Sequence, residues 1–387
     1  MYILFNKTLQ IAPLLVIACL WGCSVSDESG EENDDAGQGT DSGNTEEDGG
    51  LDAGEGDDAG DPQDDAGPEY DPCWSVMDAA LPEGIGLNGV WGIGQEDVYA
   101  AGGIMEHADG GLKGVIMHFD GITWNMMDID EDISSLLVIR GTKSNSIYAA
   151  GNNGLLLHYN GSNWNTIKTS SENYVLFDIW LADGGLYATG FTPQPEYGDV
   201  FYYDNNNWES ILHLEGIPLY GIWGSSHNDI YSCGFTTNYA SEPTFLMHYD
   251  GEQWSSIKLD FGFDDCFDVW GYSPENVYIL GGNASEFRII QFNGQAWEQV
   301  FTGETIVNGR ITGSNVNDVF CFGQFYDYDN KTLLPALHHF DGNAWSKMNI
   351  PETWIIMDIW AASEGEAFGV GYDSEDEKAR IFRYSCP

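Results

Sequence analysis

Residues 73 to 387 are predicted to form an all-β domain, a seven-bladed β-propeller of four-stranded blades, closed by an N-terminal strand that completes the C-terminal blade. Three observations lead there. A Trp-x-x-apolar segment occurs seven times, as Trp74/Met77, Trp124/Met127, Trp164/Ile167, Trp208/Ile211, Trp254/Ile257, Trp297/Val300 and Trp345/Met348. An apolar pair opens a strand in each copy: Val90-Trp91, Ile179-Trp180, Ile222-Trp223, Val269-Trp270 and Ile359-Trp360, with Ile139-Arg140 and Ile311-Thr312 as degenerate forms. The last copy runs out at Tyr384-Ser385-Cys386-Pro387, where its Trp segment should follow, while a Trp segment without its first three strands begins the folded part at Pro72-Cys73-Trp74. Units of about 45 residues have the size of one propeller blade. A four-stranded sheet with two apolar faces is unstable alone and must pack between like sheets, which a ring provides. An open two-sheet sandwich would not require the whole unit to repeat.

The chain begins Met-Tyr-Ile-Leu-Phe-Asn-Lys and continues through about a dozen mostly apolar residues to Leu20-Trp21-Gly22-Cys23. One basic residue before a short apolar run is signal-peptide architecture, too short and too soon followed by acid to span a membrane. Its end resembles the lipobox of bacterial lipoproteins, with Leu20, Gly22 and Cys23 at the matching positions. That resemblance implies that residues 1–23 are a lipoprotein signal peptide and that Cys23 is lipidated, anchoring the chain to a membrane; Val16-Ile17-Ala18-Cys19 is a competing match.

Acid is concentrated next. The sequence has 62 Asp and Glu against 13 Lys and Arg, a formal charge of -49, and residues 24–72 hold 19 of the acids with no base. This segment repeats Asp-Ala-Gly among Glu, Ser and Gly and has almost no bulky apolar side chain. It cannot offset its ordering entropy by burial, so it is expected to be a disordered linker. The overall field repels phosphate, which excludes nucleic acid as a partner.

Within each unit the apolar pair is followed by a polar turn and a second strand, as in Asp97-Val98-Tyr99, Asp229-Ile230-Tyr231 and Asn276-Val277-Tyr278. A third strand then ends in an aromatic and a tight turn: Phe119-Asp120-Gly121, Tyr159-Asn160-Gly161, Tyr249-Asp250-Gly251, Phe292-Asn293-Gly294 and Phe340-Asp341-Gly342. Asp-Gly and Asn-Gly tolerate positive φ and are strong hairpin signals, so the Trp segment is the fourth strand. In the last blade Cys386 falls at the hairpin Gly position and Cys73 just before the Trp. An exported protein is expected to join them as a disulfide. Cys233, Cys266 and Cys321 sit within strand patterns and read as small buried core residues.

The Val-Trp-Gly, Asp-Val-Tyr-x-x-Gly and His-Tyr-Asp-Gly-x-x-Trp pattern over residues 73–387 resembles the propeller repeats of bacterial surface lipoproteins, loosely related to kelch and Asp-box (BNR-like) propellers. The hairpin lacks the Ser/Thr and the intervening residue of a true Asp-box, and no Arg triad with a Tyr nucleophile accompanies it. The resemblance implies a fold and a location in the cell envelope, at the outer membrane or cell surface, and carries no activity.

Catalytic motifs are absent: no Gly-x-Ser-x-Gly, His-Glu-x-x-His, Walker loop or Cys-x-x-Cys occurs. His118, His158, His248 and His339 take the same strand position in different blades, so they should be spread around the ring as structural residues, and no metal or cofactor is expected. The connections between second and third strands vary most. They read as long loops at Gly103–Lys113, Thr192–Asp199, Thr236–Pro243 and Gln324–Pro335, with tips holding Glu196, Tyr197, Tyr239, Phe325, Tyr326, Asp327, Tyr328 and Asp329. Exposed aromatics beside carboxylates suit a protein or carbohydrate ligand. The expected function is a monomeric, non-enzymatic binding or scaffolding module; a polysaccharide hydrolase or lyase using carboxylates in the central channel is the alternative.

Overall fold

The computed structural model describes residues 70–386 apart from 106–111, 130–132, 170–172, 194–195, 236–245, 263–264, 284 and 328–331. The expected signal peptide with Cys19 and Cys23 and the acidic segment as far as residue 69 lie outside the described residues.

The described strands form seven antiparallel sheets of four, each a simple meander. The first strands are Ile85–Gly94, Leu136–Lys143, Val175–Ala182, Leu219–Ser226, Asp265–Ser273, Val307–Asn315 and Trp354–Ser363. Each packs against the first strand of the next sheet, and the last packs against the first, so these strands line the axis of a seven-bladed propeller. The second strands are buried on both faces. Ser146–Gly151 and Asp229–Gly234 are buried at every position after the first, and they are accordingly near-continuous apolar runs rather than alternating ones. Fourth strands such as Trp208–Glu215 sit at the rim with no fully buried position.

At the rim one local solution is used in every blade. The aromatic that ends the third strand meets the Trp that begins the fourth: ring centroids are 5.3 Å apart for Phe119 and Trp124, 5.1 Å for Tyr159 and Trp164, and 5.2 Å for Phe292 and Trp297. Between them the Asp or Asn side chain closes the turn. Asp120 Oδ1 accepts the backbone N–H groups of Ile122 and Thr123, and Asn160, Asp250, Asn293 and Asp341 act likewise. Gly121 has φ +88°, which explains the Gly after the acid.

Blade seven builds the same hairpin from both chain ends. Trp74–Val76 pairs antiparallel with Lys378–Ser385, with Trp74 opposite Tyr384. Their rings lie 5.2 Å apart. Ser385 N–H donates to Cys73 O at 2.9 Å, as Asp120 N–H does to Thr123 O in blade one. Cys73 and Cys386 are joined as a disulfide, with Cα atoms 5.1 Å apart.

One sequence expectation is corrected. Three of the connections read as long loops are extensions of the ladder. In blade three, Gly185–Pro193 and Glu196–Tyr203 pair down to Pro193 opposite Glu196, leaving only residues 194–195 between the strands. In blade six, Asp318–Asp327 and Thr332–Phe340 pair as far as Asp327 opposite Thr332, and in blade one Met105 pairs with Leu112. The inserted residues remain β-formers on both sides, Phe325-Tyr326 against Leu333-Leu334, so pairing continues instead of looping out. Blade two has the short connection that its Asn152–Gly154 turn suggests.

Candidate functional site

The residues singled out at the loop tips do not converge. Glu196 and Tyr197 begin the third strand of blade three, where Tyr197 packs on His213 at 4.6 Å. Phe325, Tyr326 and Asp327 end the second strand of blade six, with Lys347 Nζ 5.6 Å from the Phe325 ring. Blades three and six are not neighbours in the ring. Tyr239, Tyr328 and Asp329 lie outside the described residues.

The four candidate histidines, His118, His158, His248 and His339, fall one to a blade. His118 Nε2 bonds Asp97, His248 bonds Asp229 and His339 bonds Asp318, each at 2.7 Å across the second and third strands. Each ring also stacks on the facing aromatic of the second strand, as His118 does on Tyr99 at 4.3 Å. Among the described residues no group of three or more His, Cys, Asp or Glu is placed to hold a metal. Cys233, Cys266 and Cys321 are buried thiols. Burial pushes the Cys233 thiol well up, and its contact with Cys266 across the junction of blades four and five adds to this.

Concave space and unusual chemistry meet instead on the propeller axis. A cavity of about 250 Å³ is lined by the first strands from their midpoint toward the end where the first-to-second and third-to-fourth strand turns gather. We call that end the turn face. Five half-buried tryptophans, Trp91, Trp180, Trp223, Trp270 and Trp360, crown it. Each lies over a position in the next blade that is Gly. A Cβ on Gly141 would sit 2.6 Å from Trp91, one on Gly271 2.7 Å from Trp223, and one on Gly92 2.5 Å from Trp360. Gly224 and Gly313 seat Trp180 and Trp270 in the same way. The two blades without the Trp break the pattern on both sides of the junction. Arg140 is followed in the next blade by Leu181, and Thr312 by Ala361, at the equivalent register positions.

Two residues deeper lies a charged layer. Asp178, Asp268 and Asp358 are all buried, and each precedes the apolar pair of an odd-numbered blade. Their carboxylates clamp the next blade. Asp358 Oδ2 accepts Val90 N–H at 3.0 Å, Asp268 Oδ2 accepts Ile311 N–H at 3.0 Å, and Asp178 Oδ2 accepts Ile222 N–H at 3.3 Å. Arg140 takes the Trp position of blade two and reaches into the axis. Its Nη1 donates to Asp358 Oδ2 at 3.0 Å and to Ile139 O at 2.9 Å, while its Nη2 is 3.7 Å from Asp178 Oδ1. One guanidinium thereby ties blade two to blades seven and three across the ring.

The electrostatics follow from burial. Desolvation pushes Asp268 up to about 7, with Arg310 opposing and Asp178 adding to the rise. Asp178 is also raised by burial against the pull of Arg140 and Arg310. Burial works against charge on Arg140, but Asp358 and Asp178 overcome it and hold the guanidinium above its usual value. Asp178 Oδ1 has no hydrogen-bond partner. None of these groups was singled out from the sequence. The signal that could have found them is the motif Asp-apolar-Trp in three blades, Asp178-Ile179-Trp180, Asp268-Val269-Trp270 and Asp358-Ile359-Trp360, together with Arg140 at a Trp position.

No protein-family model and no curated protein matches the sequence. Among solved structures the chain is similar to YCF48 bound to a D1 peptide, at 15% identity over 83% of this chain and 97% of that chain, with a TM-score of 0.55. It is also similar to a catalytically inactive virginiamycin B lyase from Staphylococcus aureus with quinupristin, at 8% identity over 81% and 100% of the chains and a TM-score of 0.59. The β-propeller domain of Cps50 (Swd1) from Myceliophteria thermophila gives 8% identity over 81% and 100%, with a TM-score of 0.55. At these identities the likeness establishes the fold, a β-propeller.

Proposed function

We propose that the chain is a lipid-anchored protein of the cell envelope whose propeller is a non-enzymatic binding or scaffolding module for a protein or glycan ligand, seated on the axis at the turn face. The observation that carries this reading is the axial cavity, with aromatic walls over carboxylates largely spent on backbone amides of neighbouring blades. Groups held in that way suit a rigid receptor better than proton transfer. A propeller of similar fold, YCF48, is bound to a peptide. Anchoring rests on Leu20-Trp21-Gly22-Cys23 followed by a long acidic segment; Cys23→Ser is expected to release the protein from membranes, and unchanged fractionation would move the anchor to Cys19 or to a protein partner.

The site is tested by photo-crosslinking from the full chain. A crosslinking residue at exposed Ile93 or Tyr272, both just beyond the crown, is expected to capture the ligand. Capture only from Glu196 would transfer the site to the opposite face. The polysaccharide hydrolase or lyase reading draws on one observation, the Asp268 carboxyl held at about 7. Turnover of a polysaccharide, abolished by Asp268→Asn, would replace the binding reading.

A further inference from the structure

Resting on the axial cavity as a binding site, we propose that it takes a carboxylate presented by a protein ligand, held between the Arg310 guanidinium and the backbone N–H of Ile359 at the junction of blades six and seven. Other junctions supply the template. Val90, Ile222 and Ile311 hold one register place on their first strands, and each donates its N–H to an Asp carboxylate of the preceding blade, Asp358, Asp178 and Asp268 respectively. Ile359 holds that place in blade seven, opposite Gly369 as Val90 is opposite Ala100. The preceding blade offers it Arg310, at the position the three acids take elsewhere. Among the described residues no side chain accepts from Ile359 N–H. A carboxylate from outside would complete a fourth copy of a contact that the chain makes three times by itself.

Arg310 makes the place cationic. It lines the cavity half-buried, and among the described residues its guanidinium has no hydrogen bond and no direct ion pair. Arg140, the other guanidinium of the layer, is committed to Asp358 Oδ2 and Ile139 O. Burial raises Asp178 and lifts Asp268 to about 7, so together these two do not balance Arg310 in full near neutral pH. The acidic remainder of the chain opposes an anion, but beyond about 8 Å its charges are screened at physiological salt. A guanidinium presents a fork of N–H groups that matches the two oxygens of a carboxylate.

The way in lies over the same residue. Thr312 is two residues nearer the turn face than Arg310, about 6.6 Å at strand rise, and it stands where five blades carry Trp. The five indoles are seated on the glycines of their neighbours, and the other gap in the crown is taken by Arg140 itself. The missing indole at Thr312 therefore leaves an opening about one side chain wide above the site. It admits a carboxylate on a slim, flexible stem, an acidic side chain or a chain terminus. A pyranose ring is broader, and its hydroxyls would be desolvated against indole carbon.

The test titrates the full chain at constant ionic strength with Nα-acetyl-glutamate methylamide, Nα-acetyl-alanine, the methyl glycoside of glucuronate, Nα-acetyl-glutamine methylamide and n-butylammonium, read by tryptophan fluorescence and calorimetry. Saturable binding of at least one of the two amino-acid carboxylates with Kd of about 1–50 mM is expected, and none of the glutamine derivative or the ammonium. Either carboxylate upholds the proposal, and the tighter one assigns the group to an acidic side chain or to a chain terminus. Arg310→Gln, which keeps an amide donor and removes the charge, is expected to weaken that binding about tenfold or more. Unchanged affinity in the variant, glutamine binding as well as glutamate, or no saturable carboxylate binding overturns the proposal; the last two need no variant, so they stand if Arg310→Gln fails to fold. Glucuronate binding more tightly than both amino-acid derivatives overturns the protein source in favour of an acidic glycan. Crosslinking from Ile93 or Tyr272 that succeeds while the carboxylates fail leaves the binding module in place and removes only the carboxylate.

Discussion

The rim and the hub of this propeller obey different rules. At the rim all seven blades use the same hairpin, with an aromatic on the third strand against a Trp on the fourth, and the rule survives even where the chain is cut, because Trp74 meets Tyr384 across the two ends. At the hub the rule holds at five junctions, Trp over Gly, and fails at two, where Arg140 faces Leu181 and Thr312 faces Ala361. A rim hairpin answers only to its own sheet, so every copy can keep it. A hub residue answers to the next blade and to the axis, where a ligand can also act, and there the copies have diverged.

The largest expected effect breaks the rim. Deleting residues 70–76 removes the seventh hairpin, the buried Trp74 and the disulfide together. The disulfide closes a span of 313 residues and is worth at most about 6 kcal/mol by loop entropy; burial of one large aromatic adds about 2–3 kcal/mol. The melting temperature is expected to fall by up to about 10 °C, and by clearly less on reduction of the disulfide alone. If deletion leaves the melting curve where it was, the seventh hairpin does not close the ring.

Next comes the hub. Arg140→Ala leaves Asp358 and Asp178 buried without their cation and is expected to cost about 3–5 kcal/mol in urea unfolding. The pair of Arg383 and Glu366, on the third and second strands of blade seven and with Arg383 a third exposed, is the control away from the axis: Arg383→Ala is expected to cost under about 1 kcal/mol. Equal costs would erase the distinction between the two regions.

The hub should also respond to pH. Burial holds Asp268 at about 7, above the ordinary carboxylate value, so between about pH 4 and 7 the folded domain keeps a proton that the unfolded chain has lost. The stability from this group is full below about pH 4 and is lost as pH rises through 7. The amplitude is at most about 4 kcal/mol. The general acidic excess acts in the same direction, so the measurement is the difference between the parent and Asp268→Asn, whose stability should fall less from pH 5 to 8. Parallel pH profiles would mean that Asp268 is ionised throughout.

Legibility in the sequence followed the same division. Trp124, Asp120 and Gly121 lie within five residues of one another, so the rim hairpin is visible as a string, and the split copy at Cys73 and Cys386 exposes the closure. The partner of Asp268 is the amide of Ile311 and the seat of Trp223 is Gly271, each more than 40 residues away in the next blade. Such relations show only when the copies are stacked and each is compared with its successor. The inserted residues near Glu196 and Phe325 are hard to read for a related reason: their length suggests looping, although their β-forming composition favours a longer ladder.

The subtlest expected effect asks whether Trp over Gly is a transferable rule. Arg140→Trp places an indole where blade three offers Leu181, so it should lose the ion pairs and also overpack. Leu181→Gly alone leaves a gap beside Tyr148 and Ile179, the cluster that Leu181 packs against. Combined, the two substitutions recreate the arrangement of Trp223 on Gly271, where a Cβ would stand 2.7 Å from the indole and Gly leaves the room it needs. The double variant is therefore expected to be more stable than the sum of the single effects by about 1–3 kcal/mol, measured by chemical denaturation of all four chains. The lost ion pairs of Arg140 enter both the single and the double variant, so they cancel from the cycle. A coupling within about 0.5 kcal/mol of zero would mean that the five Trp–Gly junctions are five separate local fits, and that the two exceptions mark no special place on the axis.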